Sequence, residues 1–214
     1  SFNMRVISPD LRGNMKPWRI SYMQKLDDTF IELKKSLADG RKLSNRGDDP
    51  IYYFIFPPEN MLDVKKRLKL WRIQLESKEN WAVHILSLAE KIEQFIHTHK
   101  RKDVWLEYEK AHPFDYEAVR NTLAAELAKD NRVKNWILEA INDAAREPKG
   151  IVFLTDLEAI HPFFRIGTVE QSLQGKCTVP LVIFYPGTRT GRTSLRFLGI
   201  YPSDGNYRSV HIGG

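Results

Sequence analysis

Ile51-Tyr52-Tyr53-Phe54-Ile55-Phe56-Pro57-Pro58 is the stretch on which the fold turns. Six apolar or aromatic residues follow one another without a polar break, and two prolines stop them. A strand with one face in water alternates, whereas a strand covered on both faces does not. The run therefore predicts a buried strand of a parallel sheet. Downstream, Met61, Val64, Leu68, Trp71 and Leu75 share one face of a predicted helix over about 59–77. Upstream, Tyr22, Leu26, Phe30, Leu33 and Leu37 make a similar stripe on a helix starting near Pro17, for which Gly40 is the expected C-cap. Residues 1–15, with Pro9, Gly13 and no periodicity, read as a loose arm ahead of a single α/β domain over 16–214.

The same alternation of strand and helix continues. Trp81–Leu88 reads as a strand running into a helix over 89–98, and helices are predicted over 116–128 and 132–145. Ile151–Leu154 is a third strand ending at Thr155-Asp156, and residues 162–174 a short helix. Val179–Tyr185 is a fourth strand, stopped by Pro186-Gly187. Ser194–Ile200 and Tyr207–Ile212 are predicted as a closing hairpin around Ser203–Asn206. The expected class is α/β: a mostly parallel sheet with helices on both faces, in nucleoside-triphosphatase-like order, with an antiparallel edge hairpin at the C-terminus.

Composition removes several functions. Among 214 residues, hydrophobic ones make up 42% and charged ones 28%, as in ordinary globular proteins, so the bulk of the chain is not disordered. The single cysteine, Cys177, excludes an internal disulfide and a cysteine-based zinc site. No apolar run approaches the length of a membrane span, and the first residues lack a secretory pattern, so a cytoplasmic protein without membrane attachment is expected. The formal charge is +6. Residues 1–80 hold 16 basic and 11 acidic side chains, residues 81–161 hold 11 and 14, and residues 162–214 hold 6 and 2. Basic ends suit a nucleic acid, and equally an acidic protein surface.

The triphosphatase-like order obliges a search for a phosphate loop, which needs glycines after the first strand so that backbone N–H groups close on phosphate oxygens. Pro57-Pro58-Glu59-Asn60 supplies no glycine and no lysine. Gly187–Thr193 follows a strand, but it is one residue short and has arginine in place of lysine. It reads as a surface loop carrying Arg189 and Arg192. Asp156 ends a strand as a magnesium-binding carboxylate does, with Glu158 two residues on and His161 beyond; these are the candidates for a divergent metal-assisted hydrolase. Strand-ending or capping roles for Asp156 and a hydrogen-bonded structural role for His161 are the competing readings. Lys65, Lys66, Arg67, Lys69 and Arg72 form a basic cluster, read either as a solvated helix surface or as a phosphate-contacting patch with Arg189 and Arg192. No nucleophile elbow is present, and Cys177 is read as buried and inert. No catalytic residue, metal site or cofactor is assigned.

Several segments together resemble a known family. Phe153-Leu154-Thr155-Asp156, His161-Pro162-Phe163-Phe164-Arg165, Pro180–Gly187 with Tyr185-Pro186-Gly187 at its end, Ser194–Gly199 and Asn206-Tyr207-Arg208 are similar to the BrxB family of bacteriophage exclusion (BREX) defence systems. Asp156 stands where that family usually carries glycine, and His161 where it often carries tyrosine. The resemblance implies a small component of a multi-gene antiphage system with no established catalytic activity. Its neighbours would be a PglZ-type alkaline-phosphatase-like protein, a large ATPase and an adenine methyltransferase. The expected function is thus a noncatalytic interaction component that binds co-encoded defence proteins, the alternative being a nucleic-acid binder. Arg165, anchored by the aromatics before it, is expected to fork onto strand-end carbonyls or onto Asp156, or else to meet a partner.

Overall fold

The computed structural model describes residues 17–43, 49–161, 163–191, 194–203 and 209–214, with backbone alone for 17–24 and 41–43. The arm expected over 1–15 lies outside the described residues. In chain order the elements are α1 (Pro17–Leu43), β1 (Ile51–Phe56), α2 (Met61–Glu79), β2 (Ala82–Ser87), α3 (Leu88–Thr98), α4 (Lys102–Ala111), α5 (Tyr116–Ala128) and α6 (Arg132–Ala144). Then come β3 (Gly150–Thr155), α7 (Ile166–Ser172), β4 (Leu181–Thr190), β5 (Ser194–Phe197) and β6 (Val210–Gly213).

The strands lie in the order β2-β3-β4-β1-β6, and every neighbouring pair along this path is parallel. This is the α/β class expected from the sequence. The unbroken apolar run explains it. All six residues of β1 are buried, and they divide by parity. Ile51, Tyr53 and Ile55 enter one core with residues of α3, α6 and α7. Tyr52, Phe54 and Phe56 enter the other with α1 and α2. Each face of a strand presents alternate residues, so a run apolar at every position needs helices on both sides. β4 divides in the same way, and Phe54 meets its register partner Phe184 with ring centroids 5.1 Å apart.

Three local expectations are corrected. Gly40 does not end α1, which continues to Leu43. Its smallness serves a close approach instead, since a Cβ there would lie 2.0 Å from the Tyr52 hydroxyl. β4 does not stop at Pro186-Gly187 but runs to Thr190, so Arg189 sits on a strand and not in a surface loop. The Pro186 carbonyl accepts from the Leu198 N–H at 2.9 Å, and Gly187 lets the Arg196 carbonyl pass where a Cβ would meet it at 2.3 Å. Finally, the antiparallel pair near the C-terminus is built from β4 and β5, while β6 lies parallel to β1. Residues 204–208, where the turn of the expected hairpin was placed, lie outside the described residues.

α4 had no counterpart in the sequence reading. Val104, Trp105 and Tyr108 share one face of it, but none of its residues is fully buried. It instead lays Trp105 on the His99 ring, with centroids 4.3 Å apart.

Gly40→Ala gains helix propensity worth about 0.5–1 kcal/mol but collides with a buried tyrosine. It is therefore expected to lower stability in the native sequence and to raise it in a Tyr52→Phe background, where the colliding oxygen is gone. Urea denaturation of the four proteins of this cycle measures the sign change. The same effect in both backgrounds refutes the close-approach explanation.

Candidate functional site

Parallel sheets place their sites beyond the C-terminal strand ends, at the point where successive connections leave on opposite faces. Here α2 leaves β1 toward one core and α7 follows β3 toward the other, with β4 between the two strands. Asp156 lies at this point. It follows β3 in the left-handed region, φ 60° and ψ 44°. Aspartate tolerates that conformation better than most residues, and glycine best of all.

The Asp156 carboxylate has three donors. Lys65 Nζ lies 2.6 Å from Oδ1, while the hydroxyls of Ser87 and Thr155 donate to Oδ2 at 2.6 and 2.9 Å. Ser87 also caps α3, its oxygen accepting the Glu90 N–H at 3.2 Å. Lys65 reaches on to Glu158 Oε1 at 3.0 Å. One network thus ties α2, β2, α3 and the end of β3. Burial works against ionisation of Asp156, but hydrogen bonds from Lys65, Ser87 and Thr155 and the lysine charge outweigh it, holding the carboxyl below the usual range. The Asp156 hydrogen bond raises Lys65 above the ordinary lysine range, against desolvation and with help from Glu158.

His161 does not join Asp156 and Glu158. Its ring stacks on Phe197, centroids 3.9 Å apart and 7° from parallel, and Tyr201 leans over it at 4.1 Å. Leu198 and Gly199, both at positive φ, turn the chain after β5 so that Tyr201 returns to this spot. Tyr185 touches the same Phe197, with centroids 5.4 Å apart. So His161 from the β3 loop, Tyr185 from β4 and Phe197 from β5, quoted above from distant segments, form one aromatic cluster. Its core neighbour Tyr53 donates to the buried Glu170 carboxylate at 2.7 Å, joining β1 to α7. Burial and then the Arg165 charge push His161 below the usual imidazole range. Among the described residues no three His, Cys, Asp or Glu side chains gather as a metal site.

Arg165 does not fork onto Asp156, one of the roles expected of it. It stands just before α7, exposed, over the small cavity lined by His161, Tyr185, Phe197 and Tyr201. The donors on Asp156 are Lys65, Ser87 and Thr155, and Arg165 is not among them. The basic cluster of α2 is also divided. Lys65 belongs to the Asp156 network, Arg67 meets Asp27 of α1 at 3.3 Å, and Arg72 meets Glu76 at 2.8 Å. Lys66 and Lys69 are exposed. Cys177 is buried, and its thiol is pushed up to about 12 by burial and by the carboxylates of Asp49 and Glu170, which leaves it inert. Pro162, Arg192, Asn206, Tyr207 and Arg208 lie outside the described residues.

The family model described as BREX protein BrxB matches residues 82–212, more than half of the chain. The chain belongs to the BrxB family. A BREX protein BrxB of Bacillus cereus (strain H3081.97) is 24% identical over 196 residues, covering 89% of this chain and 98% of the relative. No solved structure matches. The BrxB match spans both the Asp156 network, apart from Lys65, and the aromatic cluster of His161, Tyr185 and Phe197.

Two measurements probe the site. Asp156→Asn leaves donors poorly matched and is expected to cost about 1–3 kcal/mol at neutral pH. Because the folded carboxyl titrates below its unfolded value of about 4, this advantage of the native protein is full above that pH and is lost as pH falls through the folded value. Urea denaturation from neutral to acid pH checks this, and a gap that stays constant is the contrary result. Arg165→Ala is expected to leave the melting temperature unchanged while the His161 pKa rises, as read from imidazole proton shifts; an unmoved pKa means that the two do not interact.

Proposed function

We propose that this BrxB-family chain serves BREX phage defence as a noncatalytic assembly component that binds co-encoded proteins, the PglZ-type protein foremost. The observation that carries this reading is the state of the strand-end crevice. Backbone N–H groups have to line the turn after β1 if phosphate is to bind there. Pro57 and Pro58 have none to offer, and the Asn60 N–H is taken by the Pro57 carbonyl at 2.9 Å. Across the crevice, the Asp156 carboxylate accepts from Lys65, Ser87 and Thr155 of its own chain, and Lys65 also reaches Glu158. The parallel sheet has its strand-end crevice, with an internal ion network where the chemistry of a triphosphatase would sit. A frame of this kind is a rigid platform for partners.

The nucleic-acid alternative draws less support from the geometry. Three of the five cations of the α2 cluster are neutralised by carboxylates of the same chain, so little of the cluster is left for phosphate neutralisation.

Co-expression with each co-encoded defence protein, followed by co-elution on a sizing column, is the test. A stable complex with at least one of them is expected, together with no heat on titrating magnesium and ATP into the purified chain. Failure to associate with any co-encoded protein overturns the proposal, and so does a saturable heat with ATP.

A further inference from the structure

α2 carries two apolar faces, and only one is used. Val64, Leu68, Trp71 and Leu75, spaced 4-3-4, are buried against the sheet. At 100° per residue, Leu62, Lys66, Lys69, Leu70 and Ile73 fall on the opposite side. There Leu62 is 70% exposed, Leu70 57% and Ile73 50%. Single exposed aliphatics are ordinary, but three in helical register on the outer face of one helix form a stripe of the kind that helices bury. Alongside it, α1 presents the exposed Ile31 one turn beyond Asp27, the residue that holds Arg67 of α2.

The charges in this stripe are as telling as its aliphatics. Lys66 and Lys69 stand in its middle, and among the described residues neither meets a carboxylate, in contrast to Lys65, Arg67 and Arg72. A second copy is a poor occupant. Antiparallel self-pairing centred on the stripe sets Leu62 against Ile73 but Lys66 against Lys69, and parallel self-pairing sets each lysine against itself. A phosphate backbone offers nothing to three aliphatics. An anionic bilayer needs cations on the rim of an apolar face, whereas here Lys66 lies inside it, between Leu62 and Leu70 around the helix.

We propose that the outer face of α2, Leu62-Lys66-Lys69-Leu70-Ile73 with Ile31 beside it, docks an amphipathic segment of a protein partner whose carboxylates oppose Lys66 and Lys69. The proposal rests on the assembly reading above and names the surface and the partner's chemistry. The stripe by itself is smaller than a stable interface, so the segment also covers the flank of α1.

The test uses the full chain, co-expressed with the co-encoded defence proteins. The variants are Lys66→Glu with Lys69→Glu, and separately Leu70→Ser with Ile73→Ser; all four positions are exposed, and thermal melts establish that the fold is intact. Lys110→Glu on α4 serves as control. Binding of the complexed partner is expected to weaken about tenfold or more with either stripe variant and to be unchanged in the control. Addition of salt is expected to weaken the native complex and to have less effect on the charge-reversed one. If the native chain forms a complex that both stripe variants keep at full strength, the docking surface is refuted while the assembly reading stands. A native chain that binds no co-encoded protein overturns both. Stripe-dependent self-association in sedimentation velocity, or stripe-dependent co-sedimentation with vesicles containing phosphatidylserine, replaces the partner segment with a second copy or a membrane and also overturns the proposal.

Discussion

The structure depends on β1 and β4 being buried on both faces. A hexapeptide in which every residue is apolar cannot turn one side to water without exposing three large side chains. With Ile51, Tyr53 and Ile55 on one side and Tyr52, Phe54 and Phe56 on the other, both sides have to be roofed. That requirement brings α1 and α2 to one face and α3, α6 and α7 to the other. It also sets the connections, because parallel neighbours need crossovers that pack back onto a face. Removal of either roof strands half of β1 in solvent, so the two cores stand or fall together.

Helices that leave on opposite faces open a crevice at the strand ends, and its contents define the character of this BrxB-family chain. Asp156 occupies a left-handed position that aspartate tolerates, and in exchange for the backbone cost its carboxylate reaches donors on two other elements. An ion pair so placed is specific more than it is strong, because desolvation of the partners offsets much of their attraction. Its effect is to pin α2 to the end of β3. Which face of α2 looks outward is set by burial of Val64, Leu68, Trp71 and Leu75 against the sheet, and the ion pair adds a fixed point at the helix's first turns.

Much of the site's material was legible in the chain, but its grouping was not. Asp156, Glu158 and His161 lie close in sequence and share the strand-end position, and a reading from spacing places them together. In space Asp156 and Glu158 meet Lys65, 93 residues away from Glu158, while His161 turns to Phe197. A histidine's neighbours follow from ring stacking across the core, which leaves no trace in local periodicity. Arg165 shows the same gap, since the aromatics before it suggested burial and the side chain stands in solvent. The α2 cluster read as a block of five cations. Arg72 pairs with Glu76 one turn on, a contact that spacing allows, but only tertiary contact neutralised Lys65 and Arg67 and, among the described residues, left Lys66 and Lys69 without a carboxylate.

The sequence by itself determined the layers: runs of apolar residues with period one, two or 3.6 state how many faces each element must bury, and that is enough for an α/β sheet covered on both sides. It also determined an absence, because prolines cannot supply the backbone donors of a phosphate loop whatever the fold around them. The tertiary structure decided everything that depends on distance. It carried β4 past Pro186-Gly187 into an antiparallel pair, because a missing N–H and a missing Cβ matter only once the neighbouring strand is known. It left α4 on the surface, with none of its residues fully buried. It gave Gly40 a packing role in place of a capping one, and it turned a second apolar face of α2 outward. Local chemistry sets what each residue can do, and only the fold sets what each residue can reach.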